Sequence, residues 1–307
     1  MPHHLVDVLD PSEDFNVVLF QQMAKEAMEG IYQRGHIPIV VGGTGFYIQA
    51  LLYDIDFTEN NADTAYREEL EALAAKPENK LMVLCSPHNP VGRVWTKEEL
   101  TAVAEICLKH DVLLVTDEIH ADIVYEGYKH YPLLSLDKRY EENFILLTAP
   151  SKTFNVAGLK ASMSIIPNKE LREKFEHTQK AMSLDVRNTF GLECVSAAYT
   201  DEGEEWMKQE IAYMQKNVDF LEKFVEEQMP GTKMIRPQGT FLCWLDLSEL
   251  HLGDQELFRR VVFEANVICV PGTWFGPGGE EHIRINVGCP QSMLKEAIER
   301  IQKVLYK

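Results

Sequence analysis

Three short apolar runs constrain the fold of this chain more than any other feature of its sequence. They are Leu81 to Cys85, Val112 to Thr116 and Phe144 to Thr148. Runs of this length without polar alternation are typical of strands buried on both faces, as in a parallel sheet between helices. Thr96 and Glu99 form the pattern of a capping box, which predicts a helix to His110 between the first two runs. The predicted class is therefore α/β, with a mainly parallel sheet and helices on both faces.

Further elements are predicted on either side of these runs. Before them we expect an amphipathic helix from Ser12 to Arg34 that stops at Gly35, a strand from Ile37 to Val41, a helical stretch from Phe46 to Leu52, and a helix from about Tyr66 to Ala75. After them we expect helices at about Lys169 to Thr200, Glu204 to Glu227, Asp254 to Ala265 and Gln291 to Tyr306, with strands at Thr240 to Leu245 and His282 to Asn286. This second group predicts a smaller α+β domain.

Polar residues follow each of the three predicted strands. Asn89 lies in a Pro-rich turn after the first, Asp117 directly follows the second, and Lys152 lies in the loop after the third. Ligands of open parallel sheets bind beyond the carboxyl ends of the strands. Arg284 is a lone arginine in a strand-like run, which suggests that it meets an anion. These four residues are the candidate functional set.

Four ordered motifs surround these residues and carry a family resemblance. They are Ser86 to Trp95, Thr116 to Asp122, Ala149 to Leu159 and Ile283 to Pro290. They resemble the fold-type-I enzymes that depend on pyridoxal phosphate (PLP). Within the class I/II aminotransferase superfamily they are most similar to the cystathionine β-lyases, also called cysteine-S-conjugate β-lyases. The resemblance implies a fold-type-I large domain with a smaller C-terminal domain.

The resemblance also implies a role for each site residue. Lys152 would hold PLP covalently and act as the catalytic base, Asp117 would face the pyridine nitrogen, Asn89 and His120 would lie at the phenolate oxygen, Ser151 would bind the phosphate, and Arg284 would bind the substrate carboxylate. His120 stands where many relatives have a tyrosine, so its role is the least defined.

The implied reaction is αβ-elimination on L-cystathionine or a cysteine S-conjugate, giving a thiol, pyruvate and ammonia. PLP-dependent transamination is the alternative that the motifs leave open. The implied partner is a small amino-acid substrate. A homodimer is expected for the family, although the N-terminal elements that usually contribute to it are missing from the resemblance.

Residues 1–75 resemble a different family, the tRNA dimethylallyltransferases. The similarity lies in Pro2 to Glu13, Ile37 to Tyr47 and Thr64 to Leu70, with Thr44 at the position of an active-site threonine. The phosphate-binding P-loop of that family is absent, which argues against prenyl transfer. The turn Gly43 to Gly45 could alternatively serve as a phosphate cup at a helix start. We therefore expect a chimera of a 1–75 fragment, an N-terminally truncated PLP-binding domain over 76–200, and a C-terminal domain over 201–307. A lyase impaired by the truncation and a catalytically inactive chimera are the alternatives.

Charge and composition restrict the partners. The net charge is −18, and residues 1–75 contain 13 acidic but only 3 basic side chains, which disfavours nucleic-acid binding. No apolar run approaches the length of a membrane span, and the start lacks a signal-peptide pattern. The six cysteines have no metal-ligand spacing, so we expect no metal site and a reducing, cytoplasmic location.

Overall fold

The computed structural model describes residues 3–5, 8, 17–40, 51 and 65–306. Its α-helices are α1 (Val17–Gln33), α2 (Ala65–Ala74), α3 (Lys97–Lys109), α4 (Pro150–Thr153), α5 (Lys169–Ala181), α6 (Thr189–Ala198), α7 (Asp201–Gln228), α8 (Asp254–Arg259) and α9 (Gln291–Leu305). Its strands are β1 (Leu81–Cys85), β2 (Leu113–Asp117), β3 (Phe144–Thr148), β4 (Met163–Ile165), β5 (Lys233–Ile235), β6 (Leu242–Asp246), β7 (Val270–Pro271) and β8 (His282–Asn286).

The three apolar runs form the mainly parallel sheet that the sequence predicts. The strand order is β1-β2-β3-β4, and β1, β2 and β3 run parallel to one another. The register pairs Val83 with Val115 and Cys85 with Asp117. β4 adds an antiparallel edge beside β3. The carboxyl ends of the three parallel strands therefore lie side by side.

Helices pack on both faces of this sheet. On one face a buried cluster joins strand residues to α3 and to the end of α2; its members include Ala74, Leu84, Leu100, Ala104, Leu114 and Phe144. On the other face Val115 and Ile145 pack with Ile166 and with Leu171 and Phe175 of α5. Alternate residues of a strand point to opposite faces, so β2 and β3 contribute to both clusters.

The second face is covered unevenly. Val115 on β2 is only 8% exposed, whereas its register partner Val83 on β1 is 62% exposed. Leu81, on the same face of β1, is 46% exposed. The cover that α5 gives to β2 and β3 therefore does not extend over β1 within the described residues.

The capping box at the start of α3 is confirmed. The Thr96 side chain accepts a hydrogen bond from the Glu99 backbone N–H at 3.2 Å, and the Glu99 carboxylate accepts one from the Thr96 N–H at 2.9 Å. These bonds satisfy two backbone donors, and α3 ends with His110 as its C-cap, as predicted.

Two predicted elements are wrong. The single helix over Lys169 to Thr200 is divided into α5 and α6, because Ser183 takes a left-handed conformation at φ 56° and Asn188 caps a new helix. The strand predicted from Ile37 does not form over residues 37–40, where Ile37 is 85% exposed. Val41, the Gly43 to Gly45 turn with Thr44, and residues 46–50 and 52 lie outside the described part of the chain.

Residue contacts divide the chain into two compact units. One comprises Met1–Asn60, Leu245–Arg284 and Glu299–Lys307; the other comprises Asn61–Trp244 and Ile285–Ile298. The strands after α7 form a second sheet in the order β5-β6-β8-β7. The boundaries expected at residues 75 and 200 stay predictions. Among the described residues, no helix combines the length and apolar character that crossing a membrane would require.

Candidate active site at the carboxyl ends of the parallel strands

Three of the predicted site residues lie at or just past the ends of neighbouring strands. Asn89 is in the turn after β1, Asp117 is the last residue of β2, and Lys152 is on α4, which begins two residues after β3. All three are half-buried. The parallel order of β1, β2 and β3 places an amide, a carboxylate and an amine at one edge of the sheet.

Asp117 and Lys152 lie within electrostatic reach of each other. Burial raises the pKa of the Asp117 carboxyl; the hydrogen bond from the Ile119 N–H at 3.1 Å and the positive charge of Lys152 act in the opposite direction. Because burial disfavours the ionised carboxylate, a cationic group beside it stabilises its charged form. The structure thus brings together two residues that the sequence predicts at the ends of neighbouring strands.

Glu118 fixes the loop that follows Asp117. Its buried carboxylate accepts hydrogen bonds from Thr116 Oγ1 at 3.0 Å and from the Leu133 N–H at 3.1 Å. It also lies 2.8 Å from Nε2 of His130, which is buried as well. A pair twelve residues apart has no local pattern, so the contact between Glu118 and His130 could not be predicted from the sequence.

His120 lies in the same loop and is only 2% exposed. Its ring stands edge-on to Phe241, with ring centroids 5.3 Å apart. Phe241 precedes β6, far away in sequence, so its contact with the loop could not be read from the chain. The packing fixes the plane of the imidazole ring.

The turn that carries Asn89 is tied to the end of β1 through Cys85. The Asn89 N–H donates to Cys85 Sγ at 3.5 Å, and Trp95 Nε1 donates to the Cys85 carbonyl at 2.9 Å. Burial raises the pKa of the Cys85 thiol, so it stays neutral. Cys85 therefore anchors the turn through its thiol and its carbonyl.

Ser151 and Lys152 both lie on α4, whose first helical residue is Pro150. Their side chains are half-buried, whereas that of Thr153 is fully buried. Proline is well suited to a first helical position, because its fixed φ matches the helix and its missing N–H is not needed there. The short helix therefore turns Ser151 and Lys152 away from the core and Thr153 into it.

Arg284 belongs to the other compact unit. It lies on β8, where its backbone pairs with Val270, and its guanidinium stands 4.8 Å from the centre of the Phe275 ring. Burial lowers the pKa of Arg284 from its usual value. A half-buried guanidinium over an aromatic ring is suited to bind a carboxylate.

Comparison with known proteins places the chain in a family. The model of the aminotransferase class I and II family matches residues 47–301, and that of the IPP transferase family matches residues 1–88. The chain is 41% identical to the cystathionine β-lyase PatB of Bacillus subtilis, over 78% of the chain and 61% of that protein. It is 28% identical to aromatic-amino-acid aminotransferase 2 of Thermococcus litoralis, over 78% of the chain and 60% of that protein.

A solved structure of a PLP-containing protein also matches this chain. The crystal structure of cystalysin from Treponema denticola, which contains a PLP cofactor, matches with a TM-score of 0.77 and 36% identity, over 80% of this chain and 63% of that one. The chain thus spans about three fifths of the length of these relatives. The match of the family model over most of the chain, with the shared fold, shows that the chain belongs to the aminotransferase class I and II family.

Proposed function

We propose that this chain is a PLP-dependent carbon–sulfur β-lyase that acts on L-cystathionine or a related cysteine S-conjugate. The observation that carries the proposal is the pairing of Asp117 and Lys152 at neighbouring strand ends, where the charge of Lys152 acts on the Asp117 carboxylate. The similarity to cystathionine β-lyase PatB supports the substrate class.

The chemistry of the donor set fits PLP. Lys152 supplies a primary amine for the aldehyde, Asp117 a half-buried carboxylate for the ring nitrogen, and Asn89 an amide for the phenolate oxygen. His120 is proposed to lie beside the same oxygen and Ser151 to donate its hydroxyl to the phosphate. When bound, PLP supplies an electron sink that makes a proton on the substrate α-carbon removable.

Each residue has a defined task in the proposed reaction. Lys152 Nζ takes the proton from the substrate α-carbon, and Asp117 keeps its negative charge at the ring nitrogen. Arg284 is assigned, from its motif, to the substrate α-carboxylate. The overall elimination converts cystathionine and water to homocysteine, pyruvate and ammonia.

The test measures pyruvate and thiol release from L-cystathionine by the purified chain with added PLP. We expect release by the wild type and none by Lys152→Ala. Lys169→Ala is the matched control, since Lys169 is exposed at the start of α5. Equal release by the wild type and Lys152→Ala would remove the proposal.

Transamination is the second candidate, favoured by the similarity to an aromatic-amino-acid aminotransferase. It needs the same lysine, carboxylate and arginine, and differs in its products. If an added 2-oxo acid is converted to its amino acid while no thiol forms from cystathionine, the aminotransferase assignment replaces the lyase.

A homodimer and a cytoplasmic location complete the proposal. The exposed apolar residues before and on α6, Val186 at 86% and Phe190 at 77%, support a covered surface in the assembled protein. The six cysteines are free thiols, which suits a reducing compartment.

A further inference from the structure

Asp122 connects the loop after β2 to the helix that carries Lys152. Its Oδ2 accepts a hydrogen bond from Thr153 Oγ1 at 2.8 Å. Its charge also acts on the hydroxyl of Tyr199, the residue that ends α6, and adds to burial in raising the pKa of that hydroxyl. Three chain segments therefore meet at one carboxylate.

The chemistry of this contact favours a fixed arrangement. Thr153 is fully buried, so its hydroxyl has no water to bond with instead of Asp122. Burial and the negative charge of Asp122 raise the pKa of Tyr199 to about 12, which keeps its hydroxyl protonated as a donor. Hydrogen bonds to an ionised carboxylate are shorter and stronger than neutral ones.

An aromatic cluster holds the next residue of the same turn. The ring of Phe154 stands edge-on to Tyr199 at 5.5 Å and stacks on Trp206 at 5.8 Å between centroids. Thr153 and Phe154 directly follow Lys152 and are both anchored. The backbone that presents the Lys152 side chain is thus fixed by its neighbours.

We propose that Asp122 is a positioning residue, which sets the place of Lys152 relative to Asp117 through its bond to Thr153. Asp122 lies on the short loop where the Ile123 N–H bonds to the His120 carbonyl, and this loop begins at Asp117. A shift in the Thr153 bond therefore changes the spacing between the proposed base and the proposed ring partner. The proposal rests on the proposed PLP function.

The test compares Thr153→Val with Thr153→Ser, Tyr199→Phe and the control Thr178→Val, an exposed helical threonine on α5. The first readout is hydrogen–deuterium exchange over residues 150–156 in the cofactor-free chain, where the Phe154 and Val156 N–H groups are bonded within the turn. We expect faster exchange there in Thr153→Val, smaller acceleration in Tyr199→Phe, and wild-type exchange in Thr153→Ser and Thr178→Val.

The second readout is the rate at which PLP becomes covalently attached, trapped with borohydride. We expect Thr153→Val to lower it by about tenfold or more, as for the loss of a hydrogen bond to a charged group, and Thr153→Ser to restore it. Wild-type exchange and capture in Thr153→Val, or no rescue by serine, would overturn the proposal. If the wild type captures no PLP, the lyase proposal fails, and the exchange readout alone decides whether Asp122 holds the turn.

Discussion

At the scale of single residues, the ionised form of Asp117 is opposed by its own surroundings. Burial raises its pKa despite the hydrogen bond from the Ile119 N–H and the charge of Lys152. A group that is less stable ionised in the folded chain than in the unfolded chain reduces stability at neutral pH. We infer that Asp117 is kept for ligand binding, at the expense of the stability of the empty chain.

Asp117→Asn should therefore raise the melting temperature of the cofactor-free chain at neutral pH. Because the folded-state pKa of Asp117 is raised, the penalty of the wild type is complete above that pKa. It shrinks as the pH falls through that pKa and vanishes below the unfolded value near 3.8. Thermal unfolding of the wild type and of Asp117→Asn from pH 8 to pH 4 measures the difference between their melting temperatures. A difference in melting temperature between the two proteins that widens toward acid pH would contradict this account. The Asp117→Asn variant should also bind PLP more weakly than the wild type.

The position of the candidate residues at strand ends could be predicted from the sequence, whereas their roles stay predictions. Asn89, Asp117 and Lys152 lie at the predicted edge because a buried parallel strand leaves few places for a polar side chain. Contacts such as Asp122 with Thr153, or His120 with Phe241, join distant segments and leave no local pattern. Those could be found only from coordinates.

At the scale of elements, α3 holds one face of the parallel sheet, and its capping box fixes where it begins. The start of α3 could be predicted from the sequence because a capping box depends on residues three apart. The break between α5 and α6 was not readable, since Ser183 carries no glycine or proline signal for its left-handed conformation. A helix boundary that depends on such a residue cannot be predicted from sequence patterns.

Thr96→Ala should lower the free energy of unfolding by about 1 kcal/mol, because it removes the acceptor for the Glu99 N–H. Thr101→Ala is the matched control. Thr101 Oγ1 bonds to the Lys97 carbonyl inside the same helix, and alanine has the higher helix propensity. Urea unfolding of the two variants gives the comparison. A loss in Thr101→Ala as large as that in Thr96→Ala would show that the cap is not the cause.

At the scale of the whole molecule, the sheet is covered unevenly within the described residues. Val83 and Val115 are register partners on neighbouring strands, yet one is 62% and the other 8% exposed. An exposed apolar strand favours association with other chains. The chimera and the junction near residue 75 stay predictions, although Ala74 at the end of α2 packs into the core cluster of the sheet.

Val83→Lys should leave folding intact and reduce concentration-dependent association, because the lysine ammonium stays in water. Val115→Lys places the same charge in a buried site and should unfold the chain. Circular dichroism reports folding, and light scattering over a concentration series reports association. Unfolding of both variants would show that Val83 is covered in solution. Unchanged association of Val83→Lys would show that β1 is not the surface that associates.

The central claim is that Lys152 holds PLP, and trapping the bond measures it most directly. The purified chain is incubated with PLP, reduced with borohydride, digested and analysed by mass spectrometry. We expect a visible absorption band before reduction and one PLP-modified peptide containing Lys152, both absent from Lys152→Ala and present in Lys169→Ala. Label spread over exposed lysines, or equal label in Lys152→Ala, would contradict the account.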